Sequence, residues 1–589
     1  MSIRKIHIDP ALVIVALVST VVACSDASAQ ASEPTMPHAV SPTVYENVKL
    51  VQQYQETIRP RELAAQLFFF SSDYFEGRET ASRGQKFAAE YLASQYRKLG
   101  LEPKGTMAVE HPYAPEAYFQ RFRAYGTRLR EARLDVMVQG DTVGTSIFSA
   151  RRQDDLAYLL HGSLPEASGG VVFAGYGISD VDLEYDDYRA LEDYSVSFGG
   201  KWLLVLDDEP LADAETSLLP TPNSHVSVWS RSIHQKLRAA FQRGIPKGFL
   251  VVGDTSPRAA SDFAERSRAA AAALENRGRL SVMETAHSMP VYMISSKLAD
   301  QILGPSGRSV RELKAQIDES LTPVVFELPG VSVASRLRLS SYTVETENVL
   351  AFIPGSDPEV RDEVVVLSAH YDHIGIEAGF RGDRINNGAD DNGSGTVALL
   401  EVAEAFMKAR EDGHGPRRSL LFLHLTGEEN GLLGSEYYAD VNAVLPIERT
   451  VTNLNVDMIG RHDPTRTDPD SNYVYIIGSR LISEELHEIN QRVNELTGTG
   501  LFLDERFNSR HDPNQFYARS DHWHFGKPRH GVPFIFFFTG IHEDYHRPTD
   551  EADKIDYDRL ARIARLIFAT AWQVANQDSA PAVSGGGFH

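Results

Sequence analysis

The sequence predicts an α/β protein, a mostly parallel sheet flanked by helices and interrupted by an inserted β-rich domain. Three observations carry this. Aliphatic and β-branched runs at 364–368, 419–426, 452–456 and 532–538 read as strands buried on both faces, the habit of a parallel sheet. A run at helical spacing, 396–408, follows the chain-breaking Gly393-Ser394-Gly395 between the first two strands. Upstream, from 169 to 317, short glycine-bounded strands and a few helices mark a separate module.

Taken in order, Arg4 and Lys5 precede an apolar stretch, 11–23, too short to span a bilayer comfortably, and Ala27-Ser28-Ala29 supplies the small residues after which a signal peptidase cuts. Residues 1–29 are therefore expected to be a signal peptide, leaving a periplasmic or extracellular chain. The single cysteine, Cys24, follows Val21-Val22-Ala23, so a membrane-anchored lipoprotein acylated at Cys24 is the competing reading. One cysteine allows no intrachain disulfide. The Pro- and Ser-rich residues 30–43 are expected to be a flexible leader.

Residues 44–150 are expected to pack on the catalytic domain as its amino-terminal part. Within them 47–57 and 60–71 look helical, and 82–99 forms an amphipathic helix with Phe87, Ala88, Tyr91, Leu92, Tyr96 and Leu99 on one face and Gly100 as its stop. Residues 110–150 read as mixed, with strands and no recognisable chemistry. The insert is placed at 151–330, the catalytic domain at 336–575 and a flexible tail at 576–589. A length of 589 residues suggests about three or four domains. The net charge of −23 argues against nucleic acid as a partner. No later segment offers the ~18 uninterrupted apolar residues of a membrane helix.

The chemistry collects at strand ends. His370 ends the first strand, where open α/β sheets place ligands. Asp372, two residues on, is spaced to accept the other ring N–H of His370. Asp391 sits in the turn before a helix, where a carboxylate is favoured and can bridge two cations. Glu428 and Glu429 follow the second strand. Adjacent carboxylates cannot point the same way, so one can bind metal while its neighbour handles protons. Asp457 ends the third strand, and the fourth leads through a loop to His546. Together these side chains make a ligand set for two zinc ions. His373, His424, His522, His524 and His542 lie close by and are set aside as supporting or packed groups.

The run AHYDHIG, GADDNGSG, LTGEENGLLGS, NVDMIG, RSDHWHF and DYHRPTD resembles the zinc metallopeptidases of family twenty-eight, the leucyl aminopeptidase and glutamate carboxypeptidase type. The likeness covers about 336–573, and 55–105 resemble the amino-terminal piece of members with an insert. It implies the zinc-peptidase fold, one zinc on His370, Asp391 and Asp457, and another on Asp391, Glu429 and His546. Asp391 bridges, with Asp390 its only rival. Glu428 becomes the general base, Asp372 orients His370, and Tyr545 matches a tyrosine aimed at the tetrahedral intermediate. Two departures are Asn430 where Gln is more usual and Glu551 where Thr is. The insert resembles the protease-associated domain.

The implied mechanism has two zincs about 3.5–4 Å apart holding a water whose proton Glu428 carries to the leaving amine. The acidic surroundings favour a cationic amino end, hence an aminopeptidase acting on peptide substrates. Arg519 keeps a carboxypeptidase or dipeptidase reading open. A non-catalytic peptide-binding protein and a one-zinc acyl transferase like the glutaminyl cyclases are the alternatives from other classes.

Overall fold

The computed structural model describes residues 41–585 apart from 112, 150–155, 222–223, 232, 256–262, 277–278, 285–287, 378–381, 467–471 and 511, with nothing said of the side chains of 231 and 272–279. The expected signal peptide, Cys24 and nearly all of the leader lie outside the described residues. No helix among the described residues is long and apolar enough to cross a membrane.

Three helices open the described chain: α1 (Val48–Gln55), α2 (Pro60–Phe70) and α3 (Arg83–Leu99). Each stop and start has a local cause. Asn47 caps α1, Pro60 opens α2, Ser82 accepts the Gln85 amide at the head of α3, and Gly100 closes α3 at φ 82°. Their buried faces join the core of the catalytic sheet, in α3 through Ala88, Leu92 and Tyr96, whereas Phe87 of the expected apolar face is exposed.

The long strand β1 (Phe119–Val138) leads into the insert, whose parallel strands are β2 (Glu166–Ala174), β3 (Trp202–Leu206), β4 (Gly248–Val252) and β5 (Val291–Ile294). The chain returns along β6 (Val325–Ile353). The catalytic part then carries β7 (Val364–His370), α4 (Gly395–Glu411), β8 (Ser419–Leu425), β9 (Thr450–Val456), β10 (Tyr473–Ile477), α5 (Glu484–Thr497), β11 (Phe534–Phe538) and α6 (Tyr557–Asn576). Strands β8, β7, β9 and β11 are parallel neighbours in that order, so their carboxyl ends line one edge. β10 runs antiparallel on the far side of β11, and β6 runs antiparallel beside β8. Apolar clusters cover both faces of this sheet, which is why its strands are continuous hydrophobic runs.

Two expectations change. β6 runs for 29 residues and pairs with β1 from Val331↔Val138 to Val349↔Phe119, so one hydrogen-bonded sheet continues from the catalytic strands into the insert. The insert's own core takes in Leu129 through Leu337, so its limits fall inside β1 and β6 rather than at 151 and 330. Along the shared part, 336–345, exposed and more buried residues largely alternate, as in a two-stranded ribbon wetted on one side. Both expected loose ends are also tied down where described. Ser41 donates to Gly415 O at 2.7 Å and Trp572 Nε1 to Pro42 O at 2.8 Å, while the Ser584 and Gly585 amides donate to Ile482 O.

Candidate metal centre

The parallel strand ends deliver the site. β7 ends in His370, β8 leads to Glu428 and Glu429, β9 to Asp457, and β11 through a loop to His546. Asp391 arrives on the turn 389–394 that opens α4, across a cis peptide to Asn392. That turn is pinned at each end. Asn392 Nδ2 donates to Val456 O at 2.8 Å, and its Oδ1 accepts the Gly395 amide at 3.0 Å. Gly388 sits at φ 55°, where a Cβ would lie 2.3 Å from Asp391 O, so no side chain fits there.

The two oxygens of Asp391 face different histidines. Oδ1 lies 3.3 Å from His370 Nε2, and Oδ2 lies 3.1 Å from His546 Nε2. Asp457 Oδ1 completes the first group at 3.3 Å from His370 Nε2, and Glu429 Oε2 completes the second at 3.0 Å from His546 Nε2. Bonds of ~2.0 Å to one tetrahedral zinc would hold donors ~3.3 Å apart, so both groups have the right scale. His546 Nε2 is buried without a hydrogen-bond partner although two carboxylate oxygens are that close. An imidazole nitrogen converging with carboxylates and bonded to none of them suits a shared cation. Glu428 stands back, its Oε2 4.0 Å from His370 Nε2. The donor set therefore fits two zinc ions, with Asp391 between them and Asp390 turned away to accept the Gly460 amide at 2.6 Å.

Residues 348–571 match the family model described as "Peptidase family M28". The matched span holds every candidate ligand, from His370 to His546. A "Probable zinc metalloprotease" of Pyricularia oryzae is 29% identical over 284 residues, 42% of this chain and 53% of that one. "Aminopeptidase YwaD" of Bacillus subtilis is 25% identical over 253 residues, 42% of this chain and 48% of its own. The chain thus spans about half the length of these two curated relatives. The solved aminopeptidase from Aneurinibacillus sp. strain AM-1 aligns over 91% of this chain and 97% of its own, at 17% identity and a TM-score of 0.47.

Burial pulls the His370 imidazole down, but Asp457, Glu428, Asp372 and Asp391 outweigh it and hold it well above the usual histidine range. His546 is likewise lowered by burial, yet the Asp391 and Glu429 carboxylates close to it push it up to about 10. Burial raises Asp391, and the facing imidazoles of His373, His370 and His546 nevertheless hold it well below the carboxylate norm. Glu428 goes the other way. Burial pushes it well above normal, and Glu429, Asp457 and Asp521 add to this against His370. That is the direction a proton carrier needs.

The expected link between Asp372 and His370 takes a different form. His370 Nδ1 is nearest the main-chain carbonyl of Asp372, at 3.2 Å, while the carboxylate lies 3.7 Å away. The Asp372 carboxylate accepts Thr80 Oγ1 at 2.7 Å and the Glu428 amide at 3.2 Å, so it also fixes the main chain at Glu428. Asn430, a departure from the family pattern, donates to Thr80 Oγ1 at 2.9 Å, and Glu551, the other departure, accepts Asn387 Nδ2 at 3.0 Å.

Several participants were not read from the sequence. Arg78 is fully buried and donates to the carbonyls of Phe70, Tyr371, Asn387 and Gly388. Asp550 accepts the amides of both Asp390 and Asp391. Ser520 donates to Asp457 Oδ2 at 2.8 Å. His373, set aside earlier, brings Nδ1 within 2.8 Å of Glu429 Oε1. The other histidines are accounted for: His424 meets Tyr96 OH at 2.6 Å, His522 stacks on Phe536, His542 faces Asp390, and His524 meets Asp440.

Beside the ligands lies a small pocket walled by Met458, Phe516, Phe536, Phe538, Ile541 and Tyr545, with Asp391, Glu428 and Asp457 at its inner end and Arg519 at its rim. Tyr545 stacks on His546 at 3.9 Å. Burial and the Asp391, Glu429 and Glu428 carboxylates push its phenol up, against Arg519, so it remains a donor.

Proposed function

We propose that this chain is an exported di-zinc exopeptidase that releases amino-terminal residues from peptides. The observation that carries the reading is the position of Asp391, whose two oxygens each serve a separate histidine, with the unligated Glu428 carboxyl beside them. The named zinc metalloprotease and aminopeptidase relatives support the reaction class.

When bound, the zinc ions polarise the scissile carbonyl and make a bound water acidic. His370, Asp391 and Asp457 would hold one ion, and Asp391, Glu429 and His546 the other. Glu428 takes the proton of the attacking water and delivers it to the leaving nitrogen, a role open to it because it ligates neither ion. Tyr545 donates a hydrogen bond to the oxygen that gains charge. The apolar pocket takes the first side chain, and the carboxylates at its inner end attract the ammonium group. Cleavage at the carboxyl end is the second reading, favoured by the Arg519 fork at the rim. Leucine p-nitroanilide, the same compound acetylated on its amine, and an amine-blocked dipeptide ending in glutamate separate the two. Equal hydrolysis of the acetylated compound, or preference for the blocked dipeptide, overturns the amino-end reading.

Export rests on residues 1–29, and the inserted lobe is read as a protease-associated domain. The mature chain is expected in the periplasm or medium. Recovery in the membrane fraction, relieved by Cys24→Ser, would mean a lipid anchor instead.

A further inference from the structure

The pocket beside the candidate ligands shares Arg519 with a second cleft. That cleft is otherwise walled by Gly431 and Leu432, which follow the Glu428-Glu429 pair, by Pro513, Asn514, Gln515 and Ala518, and by His234 of the insert. A peptide held with its first residue in the apolar pocket and its scissile carbonyl at the metal ligands must continue outward, and the cleft that shares Arg519 with that pocket offers it a path.

Charge reverses along that path. The pocket presents Asp391, Glu428 and Asp457, whereas no carboxylate among the described residues lines the cleft. Its polar lining is Arg519, His234, His524, Asn514 and Gln515, all able to donate hydrogen bonds. In a chain of net charge −23 this is a local inversion. The Arg519 guanidinium is exposed, lies 5.1 Å over the Phe516 ring, and has no ion pair with a carboxylate among the described residues. An arginine stacked on an aromatic face is held ready, with its fork of donors open to a partner.

We propose that this cleft binds the free carboxylate end of short peptides, with Arg519 as its anchor, so that unblocked di- and tripeptides are the favoured substrates. The proposal rests on the amino-end reading above. A residue adds ~3.3–3.6 Å to an extended chain, so only a short peptide places its ammonium at the carboxylates and its carboxylate at the start of the cleft together. Electrostatic complementarity of this kind selects the zwitterion against its amide. His234 brings the insert into the wall, so the lobe contributes to the choice of substrate.

The test compares Leu-Gly-Gly with its carboxamide on the zinc-loaded full chain. Wild type should favour the free acid by about 10- to 100-fold in kcat/KM, mostly through KM, the range of one charge-assisted contact. Arg519→Met should bring that ratio close to one, and Arg519→Lys should restore part of it. Calorimetric binding of the two peptides to Glu428→Gln reports the same preference without turnover. Equal use of acid and amide by wild type, or a ratio unchanged in Arg519→Met, overturns the proposal. If acetyl-Leu-Gly-Gly instead loses its terminal glycine, the amino-end reading fails, and the binding data then decide. An Arg519-dependent preference for the acid keeps the cleft assignment, and its absence overturns it.

Discussion

The Arg78 guanidinium donates to the Gly388 carbonyl at 2.8 Å, joining positions 310 residues apart in the chain. The same side chain holds Tyr371 O at 2.9 Å and Asn387 O at 2.7 Å, so one cation from the amino-terminal segment ties the end of β7 to the loop that carries Asp391. It is buried beneath the ligand carboxylates and balances part of their charge, although burial lowers its own pKa to about 10. Removing it would leave several buried carbonyls without donors, at about 1–3 kcal/mol each. Arg78→Met is therefore expected to lose zinc on dialysis and to unfold in milder denaturant, with Arg78→Lys between it and wild type. Unchanged zinc retention in Arg78→Met would limit Arg78 to packing.

The adjacent glutamates should separate cleanly. Glu429 touches His546 and His373, while Glu428 meets no imidazole closer than 4.0 Å. Glu428→Gln is expected to keep about two zinc ions and the fold, yet lose about 10²–10⁴ in turnover. Glu429→Gln, His370→Ala and His546→Ala should instead lower the zinc count, measured by atomic absorption after gel filtration. A wild-type content near one ion in zinc-replete buffer would end the co-catalytic reading, and like behaviour of the two glutamate variants would end the division of labour.

Much of the centre was legible because each ligand follows a buried strand, and a continuous apolar run followed by one polar residue is visible in a single sequence. His370, Asp391, Glu429, Asp457 and His546 all obey that pattern or the turn beside it. Arg78 does not. It lies in a short irregular turn with Glu76 at φ 52° and Gly77 at φ 66°, and a Cβ on Gly77 would come within 2.6 Å of Asn386 O and Gly375 O. Its meaning depends on partners about 300 residues away, which no local periodicity reveals. The same holds for Asp550, whose bonds reach two amides on the Asp391 turn. The β1–β6 ribbon was missed for another reason. The arginines, serines and glutamates mixed into 336–347 read as a solvated stretch until a partner strand is known.

Zinc uptake should depend on pH in a definite direction. In the metal-free protein His546 is raised to about 10 and His370 is also raised, so both carry protons at neutral pH that zinc must displace. Apparent zinc affinity is therefore expected to climb as pH rises from 6 towards 10. Calorimetry in buffers of different ionisation enthalpy should detect proton release on binding. A flat affinity across this window, or no released proton, contradicts the charge state described.

The last prediction concerns stability away from the metals. Glu401 on α4 is almost fully buried against α2, where its carboxylate accepts Gln66 Nε2 at 2.5 Å. Burial, aided by Glu404 and Glu62 against Lys408 and Arg59, raises its pKa from 4.5 to about 8. The unfolded chain releases this proton near pH 4.5 and the folded chain near 8, so between those values the native state binds the extra proton and stability falls as pH rises. Above about 8 the penalty is complete. Glu401→Gln keeps the acceptor for Gln66, places an amide donor near the buried Gln66 Oε1 that has no partner, and removes the ionisation. It is expected to stabilise the fold by on the order of 2 kcal/mol at pH 8 and to give little at pH 5. Denaturant unfolding of both proteins at the two pH values, with zinc saturating throughout, measures the difference. An equal gain at pH 5 and pH 8 would trace the effect to packing, and a loss at pH 8 would mean that the buried carboxylate has a cation holding it ionised.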